Sequence, residues 1–343
     1  MANEEQLNLI KQGIQTWNNW RSEVFRTKID LENADLTAAT LSSINLSLAN
    51  LRFVKLSRAD LSKANLSGAI LGKANLCEAS LIGANLSMAN FIMADLSGAY
   101  LSESNLSRAN LGNAVAIAAN FIMANLSGAY FSESNFSRAN LSNANLTEAI
   151  LVKTNLSGSY LNKANFTSAN LSMSDLSEAD LSGANMHLAD LSKADLTSAN
   201  LIGAILTDVD LRQSNLTLAY LNTANLTGAD LSMAILTNTN FSQADLREAN
   251  LDRANAQDAN FSEAYLSNAN LTGTILSGAN LTSAYIGNAD LTGAVLRGAD
   301  LTGAILIGAN LTKANFSGAK LDGVDFTSAT MPNGKIFIPK PSV

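Results

Sequence analysis

The chain has 343 residues, of which 47% are hydrophobic and 15% are charged, and its formal net charge is −7. This much apolar content excludes the highly charged class of disordered chains. Because Cys77 is the only cysteine, an internal disulfide is excluded, which is compatible with a reducing compartment.

The sequence shows no sign of export or of membrane insertion. Its first residues, MANEEQLNLI, are acidic where a secretory signal is basic, so we expect no export signal. No run of about eighteen apolar residues occurs, and a membrane-spanning helix is therefore not predicted. We expect a cytoplasmic protein that does not associate with membranes.

Residues 1–30 are predicted to form a helical cap. Asn3, followed three residues later by Gln6, indicates a capping box, and Glu4 and Glu5 place negative charge in the first helical turn. One helical face is predicted to carry the apolar residues Leu7, Ile10, Ile14 and Trp17. Such a cap would cover the core and the unpaired backbone at the start of the segment that follows.

From Leu31 to Phe326 an apolar residue recurs at every fifth position without a slip. We call this the core position; it holds Leu or Phe nearly throughout, with the exceptions Ala116, Met186, Ala256 and Ile286. The residue two places before the core position is usually Ala. The residue directly before the core position, which we call the outer position, is mostly Asn or Asp. The residue directly after the core position is mostly Ser or Thr.

A period of five fits neither an α-helix nor a flat strand. On a helix each core position would lie about 140° round from the last, and on a strand successive core positions would face opposite sides. Each unit must therefore contain a short extended piece with the core residue and the alanine inward and the outer residue outward. The two residues that follow make a turn, in which Gly accepts a positive φ and Ser can bond the local backbone.

The unit Ala64-Asn65-Leu66-Ser67-Gly68 resembles the consensus A-(D/N)-L-x-x of the pentapeptide-repeat family, and the resemblance covers residues 31–330. It implies an all-β solenoid, the right-handed quadrilateral β-helix, in which four units make one coil of twenty residues. At twenty residues per coil, residues 31–330 would make about fifteen coils. The segment WNNWR, residues 17–21, is similar to N-terminal segments of cyanobacterial members of the family.

Residues 331–343 are predicted to form a turn and a tail. The segment MPNGKIFIPKP indicates a turn at Pro332, Asn333 and Gly334, followed by a short strand. All three prolines of the chain lie in this segment, where missing backbone donors discourage another chain from extending the sheet.

The sequence offers almost no catalytic groups. His187 is the only histidine. A triad with Asp190 and a serine can be imagined, but serine is so frequent at outward positions that such neighbours arise by chance. No cysteine–histidine metal spacing, phosphate-binding loop or pair of buried carboxylates occurs. We expect no enzymatic activity, no cofactor site and no metal site.

Two outward features are candidates for binding a partner. Positions twenty residues apart should stack, which places Tyr265, Tyr285 and Ile305 in one column with Ile307 close by. Such a stack favours protein contacts or self-association, although it could also serve only to stabilise the sheet. The second feature is a column of carboxylates, Asp190, Asp210 and Asp230. It suits a basic partner, or it is a solvated face that keeps the protein soluble.

Charge differs between the two halves of the repeat region. Residues 31–170 contain nine Lys and Arg against eight Asp and Glu, whereas residues 171–330 contain seven against seventeen, a net charge of −10. A DNA-mimicking, topoisomerase-binding protein is an alternative that the family resemblance implies. The acidic half would form about eight coils, a length of about 38 Å at the usual strand spacing. Because DNA carries about one charge per 1.7 Å of axis, a mimic of that length needs roughly twenty or more charges, and a net charge of −10 falls short of this.

An ice-binding solenoid is a further alternative, but Ser, Thr, Asn and Gly mix on all faces without one uniform threonine array. We therefore predict a non-enzymatic, rigid scaffold for protein–protein interaction, with a regulatory use. Its partner is expected to be a protein, and the chain itself is not expected to bind nucleic acid directly.

Overall fold

A computed structural model describes residues 2–24 and 27–338 of the chain. The chain divides into two compact units, Met1–Asn170 and Leu171–Val343. Of the predicted C-terminal tail, residues 339–343 and the two prolines among them lie outside the described residues.

Two helices open the first unit, α1 (Glu4–Lys11) and α2 (Ile14–Glu23). Asn3 caps α1, because its Oδ1 accepts a hydrogen bond from the backbone N–H of Gln6 at 3.1 Å. The acidic residues of the first turn lie near the positive end of the helix dipole, where negative charge is stabilising.

The prediction of one continuous apolar helical face is wrong. Gly13 has a φ of 114°, which no α-helix contains, and the chain therefore changes direction between α1 and α2. Ile10 and Trp17 are buried, whereas Leu7 and Ile14 are only half-buried. The inner side of the cap also contains the polar residues Gln6 and Arg21, both buried.

From Asp30 onward, isolated parallel β-bridges join residues that are twenty apart in the sequence. In the first unit they run from the pair Asp30 and Asn50 to the pair Ile150 and Asn170. In the second unit they run from the pair Asp175 and Asp195 to the pair Asn310 and Thr330. The bridges occur at successive outer positions. Because parallel bridges of constant spacing stack successive turns of the chain, each unit contains a β-helix with twenty residues per turn.

Backbone hydrogen bonds fix this spacing. The N–H of Leu51 donates to the carbonyl of Ile70 at 2.8 Å, and the N–H of Phe53 donates to the carbonyl of Gly72 at 3.1 Å. Each five-residue unit also closes its own turn, as where the N–H of Val54 donates to the carbonyl of Leu51. The pattern recurs through both units and satisfies the backbone where it would otherwise be buried without partners.

The core positions face inward in both units. Leu66, Leu86 and Leu106 have no exposed surface, and the alanines two places before the core positions are buried as well. Phe136, twenty residues after the exceptional Ala116, packs against two other rings: its ring lies 5.4 Å from that of Phe121 and 5.1 Å from that of Phe131.

Hydroxyl groups replace the inward alanine at several places, and most of them bond a backbone carbonyl. Ser104 Oγ donates to the carbonyl of Leu101 at 2.6 Å, and Thr154 Oγ1 donates to the carbonyl of Phe131 at 3.0 Å. Ser134 is 2% exposed, yet its Oγ has no hydrogen-bond partner. An unsatisfied buried hydroxyl costs about 1–3 kcal/mol.

A short antiparallel pair ends the second unit. Thr330 and Ile336 form the bridge, and the intervening turn includes Pro332, Asn333 and Gly334, with the N–H of Gly334 donating to the carbonyl of Met331 at 2.8 Å.

Side chains of the cap take the place of backbone at the edge of the first coil. Asn18 Nδ2 donates to the carbonyl of Ser43 at 3.0 Å, and Asn18 Oδ1 accepts from the N–H of Asn45 at 2.9 Å. Trp17 Nε1 donates to the carbonyl of Asn45 at 2.8 Å. The side-chain amide of Asn18 thus makes the two hydrogen bonds that the backbone of a preceding strand would make. This edge of the sheet is therefore not left open to another chain.

We expect Asn18→Ala to lower the free energy of unfolding by about 1–3 kcal/mol, because two backbone groups lose their partners at once. Denaturant unfolding followed by circular dichroism measures the effect. Asn19→Ala is the matched control, since the exposed side chain of Asn19 accepts a hydrogen bond from Gln15 within the same helix. Equal midpoints for the two variants would show that the cap does not stabilise the coils through Asn18.

Ser134→Ala should raise the free energy of unfolding by about 1 kcal/mol, because it removes the unsatisfied hydroxyl at a position where alanine is usual. Ser104→Ala serves as its control and should be destabilising, since that hydroxyl has a partner. Thermal unfolding of both variants tests the difference, and a lower midpoint for Ser134→Ala contradicts the prediction.

Candidate functional site

Asn and Asp dominate the outer positions because their side chains bond the turn that follows. Asn65 Oδ1 accepts a hydrogen bond from the N–H of Ser67 at 3.1 Å, and Asp190 Oδ1 accepts from the N–H of Ser192 at 2.9 Å. The next residue is in the left-handed region, with φ of 59° at Lys193. Since either side chain supplies the same acceptor, Asp in place of Asn adds a charge and leaves the turn unchanged.

The three predicted carboxylates are stacked in the second unit. Parallel bridges join Asp190 to Asp210 and Asp210 to Asp230. Arg212 lies beside them, with Nη2 2.6 Å from Asp210 Oδ2 and Nε 4.0 Å from Asp230 Oδ2. The column is therefore compensated in part by a cation of its own unit, which reduces its attraction for a basic partner.

Arg212 also controls the ionisation of Asp210. Burial opposes the charge of this carboxyl, but hydrogen bonds from the side chain and the backbone of Arg212 outweigh burial and hold the pKa of Asp210 below its usual value. Asp245 has the same arrangement with Arg247, whose side-chain hydrogen bond lowers the pKa of Asp245 against the effect of burial.

The predicted tyrosine column stacks on the surface of the second unit. The rings of Tyr265 and Tyr285 stack with centroids 4.9 Å apart and planes within 6° of parallel. Their exposed fractions are 44% and 40%, and that of Ile307 is 43%. Ile305 is half-buried and bridges to Tyr285. We call these four residues the tyrosine patch.

A polar cavity of about 490 Å³ adjoins the patch. Its lining combines the two tyrosines with residues of the neighbouring corner: Thr223, Gln243, Glu263 and Ser283. Gln243 Nε2 donates to Glu263 Oε2 at 2.9 Å, so two residues of the lining are joined by a hydrogen bond. The patch thus combines an apolar stack with hydrogen-bonding groups at its rim, as protein interfaces do.

The single histidine and the single cysteine each bond a neighbouring side chain. His187 Nδ1 lies 2.7 Å from Thr207 Oγ1 and 3.9 Å from Asp208 Oδ2, so its polar neighbours come from the next turn of the β-helix. Burial, followed by the hydrogen bond with Asp95, raises the pKa of Cys77 to about 11, which makes its thiolate scarce at neutral pH.

Across residues 2–24 and 27–338, no three His, Cys, Asp or Glu side chains are grouped to hold a metal ion. No helix in these two ranges is both long and apolar enough to cross a bilayer.

Sequence reasoning missed a cavity of about 240 Å³ in the first unit. Its lining residues share one corner of the β-helix: Arg52, Phe53, Ile70, Gly72, Lys73, Asn90 and Ile92. The twenty-residue spacing of Arg52, Gly72 and Ile92 is the signal that could have revealed it, because this spacing places a glycine between two long side chains.

We expect Arg212→Gln to raise the pKa of Asp210, because burial then acts on the carboxyl without the opposing guanidinium. An NMR titration of the Asp carboxyl carbons measures this change. Arg247→Gln should raise the pKa of Asp245 and leave that of Asp210 unaltered. An unchanged pKa for Asp210 in Arg212→Gln contradicts the assignment.

Solved structures of several related proteins are similar to this chain. HetL, a pentapeptide-repeat protein involved in heterocyst differentiation regulation in the cyanobacterium Nostoc sp. strain PCC 7120, is 34% identical over 62% of this chain and 91% of its own, with a TM-score of 0.32. Rfr23 from the cyanobacterium Cyanothece 51142 is 33% identical over 34% of this chain and 63% of its own, with a TM-score of 0.22.

QnrB1, a plasmid-mediated fluoroquinolone resistance protein, is 23% identical over 51% of this chain and 88% of its own, with a TM-score of 0.36. No curated protein sequence matches the chain.

A family model described as pentapeptide repeats, eight copies, matches residues 29–92 and 94–327 in overlapping stretches. The match confirms the resemblance that the repeat Ala64-Asn65-Leu66-Ser67-Gly68 suggested. Proteins of this kind fold as right-handed β-helices and are generally non-enzymatic scaffolds. With its parallel bridges at a spacing of twenty residues and its matched repeats, the chain belongs to the pentapeptide-repeat family.

Proposed function

We propose that this protein is a non-enzymatic scaffold that binds a partner protein through the tyrosine patch. The observation that carries the proposal is the exposed parallel stack of Tyr265 and Tyr285. Stacking and the β-bridges hold both rings in place before any partner arrives, so little side-chain freedom is lost on binding. Tyrosine offers both an apolar ring and a hydroxyl to a partner, which suits a protein interface.

A rigid support for the patch follows from the repeat. We propose that the four outer positions in each twenty-residue turn make the β-helix four-sided, and that the whole repeat amounts to about fifteen coils. The regular bridges at outer positions support this proposal. On such a scaffold a surface residue is held by backbone hydrogen bonds to the turns on either side of it, so its side chain is more precisely positioned than one on a loop.

The carboxylate column contributes less in this proposal. Arg212 pairs with Asp210 and Arg247 pairs with Asp245, so a basic partner would have to compete with cations of the chain itself. The same pairing disfavours a DNA mimic, which needs uncompensated charge. The partner proposed is therefore a protein that contacts the apolar patch, in the cytoplasm, and the contact has a regulatory use. Self-association through the patch is the competing outcome that the experiment must separate.

Binding should be lost when Tyr265, Tyr285 and Ile305 are all changed to Ser, because the apolar stack is then removed. Cross-linking capture from a cell extract with the intact protein compares this variant with Tyr100→Ser and Tyr160→Ser, two exposed tyrosines of the first unit. We expect one captured protein to disappear in the triple variant and to persist in the control variants.

Identical captured proteins in all variants contradict the proposal. Sedimentation velocity of the purified chain detects self-association. A dimer that depends on the patch, together with no captured partner, would show that the patch joins copies of this chain and does not bind another protein. A DNA supercoiling assay and a thermal hysteresis measurement separate the topoisomerase-binding and ice-binding alternatives.

A further inference from the structure

The cavity of the first unit exists because position 72 has no side chain, although the backbone does not require glycine there. Gly72 lies at the first turn position, outside the left-handed region, and a Cβ added to it would meet only the carbonyl oxygen of Ile92, at an ordinary 3.6 Å. Arg52 and Ile92, twenty residues to either side, both have long side chains at this position. Glycine at position 72 therefore leaves a notch at this corner of the β-helix, although the fold does not require glycine there.

A second glycine in the same column, whose residues are twenty apart in the sequence, shows how such a notch can be filled. Gly112 lies two turns further along in an equivalent position, and the ring of Tyr130 covers it, with Cε1 3.1 Å from the place of an added Cβ. Tyr130 follows Gly112 by eighteen residues, and Asn90 follows Gly72 by the same interval. Since the shorter side chain of Asn90 does not fill the notch, the space above Gly72 is a cavity of about 240 Å³.

The walls of this cavity combine apolar and cationic groups. Phe53, Ile70 and Ile92 supply apolar surface, and Arg52 and Lys73 stand among them. Lys73 Nζ lies 5.7 Å from the centroid of the Phe53 ring, a cation–π distance. No carboxylate lines the cavity.

Some cations of the first unit are paired with carboxylates and others are not. Lys55 pairs with Asp35, and Arg58 pairs with Glu78. Arg52 and Lys73 form no ion pair with any residue that the structure describes. Asn90 adds a further donor, because its Oδ1 already accepts from the N–H of Ile92 at 2.9 Å and its Nδ2 remains to donate.

We propose that the notch above Gly72 binds a small aromatic anion. Its ring takes the place that the ring of Tyr130 takes above Gly112, and its anionic group meets Arg52 and Lys73. A ring alone would leave the two cations without a partner, and an inorganic anion alone would leave the apolar walls wet, so only the combination matches the whole lining. The site is independent of the tyrosine patch, which lies in the second unit.

Phenyl phosphate is the probe, titrated into the full-length chain and followed by isothermal calorimetry. Phenol tests the ring without the charge, and inorganic phosphate tests the charge without the ring. We expect phenyl phosphate to bind at least tenfold more tightly than either. Equal affinity of phosphate and phenyl phosphate overturns the proposal, since the cations alone would then account for binding.

Two variants locate the site. Gly72→Leu should weaken binding of phenyl phosphate at least tenfold by filling the notch, and Gly287→Leu is its control, because Gly287 has the same backbone position in the second unit with an added Cβ 3.5 Å from a carbonyl oxygen. Arg52→Gln combined with Lys73→Gln leaves the notch open and should reduce phenyl phosphate affinity to that of phenol. If both the filled and the uncharged variants bind as the unaltered chain does, the proposal is wrong.

Discussion

Backbone hydrogen bonding between residues about one twenty-residue turn apart is the constraint on which everything else in this protein depends. The N–H of Leu51 and the N–H of Phe53 both donate to the next turn, to Ile70 and Gly72. A one-residue slip would move a leucine from the interior to the surface and an asparagine into the core. The uninterrupted five-residue frame from Leu31 to Phe326 is the sequence form of this constraint, and it also fixes which side chains are neighbours on the outside.

The turns make a second demand, on the outer positions. The second residue of each turn is left-handed, and most of these residues are not glycine, including Leu48 and Phe53 with φ of 59° and 56°. For such residues the conformation costs about 1–2 kcal/mol. The side chain of the outer Asn or Asp bonds the N–H within the same turn, as Asn65 does for Ser67, and this bond offsets part of the cost. Much of the polar surface is thus explained by folding and not by binding.

The sequence could therefore predict the repeat frame, the inward leucines and the stacking of Tyr265 on Tyr285, because all three follow from periodicity. It could not predict that Gly13 would divide the cap into two helices, since a single glycine is compatible with a helical pattern. Nor could it predict that Arg212 would bond Asp210, because that contact depends on the rotamer of a long side chain. The notch at Gly72 could not be predicted for a related reason. Whether a glycine is covered depends on the side chain eighteen positions later, and the five-residue period does not identify that residue.

Outer positions without Asn or Asp lose the side-chain bond to their turn, a loss of about 0.5–1.5 kcal/mol each. Tyr265 and Tyr285 recover a comparable amount, since a stacked aromatic pair contributes about 0.5–1.5 kcal/mol beyond the area it buries. Ile70 has no such neighbour, because its bridge partners are Asn50 and Asn90. The column gives this isoleucine no apolar contact in exchange for the lost turn bond. Its side chain instead forms a wall of the cavity above Gly72, where an aromatic ligand would supply the contact that the sheet does not.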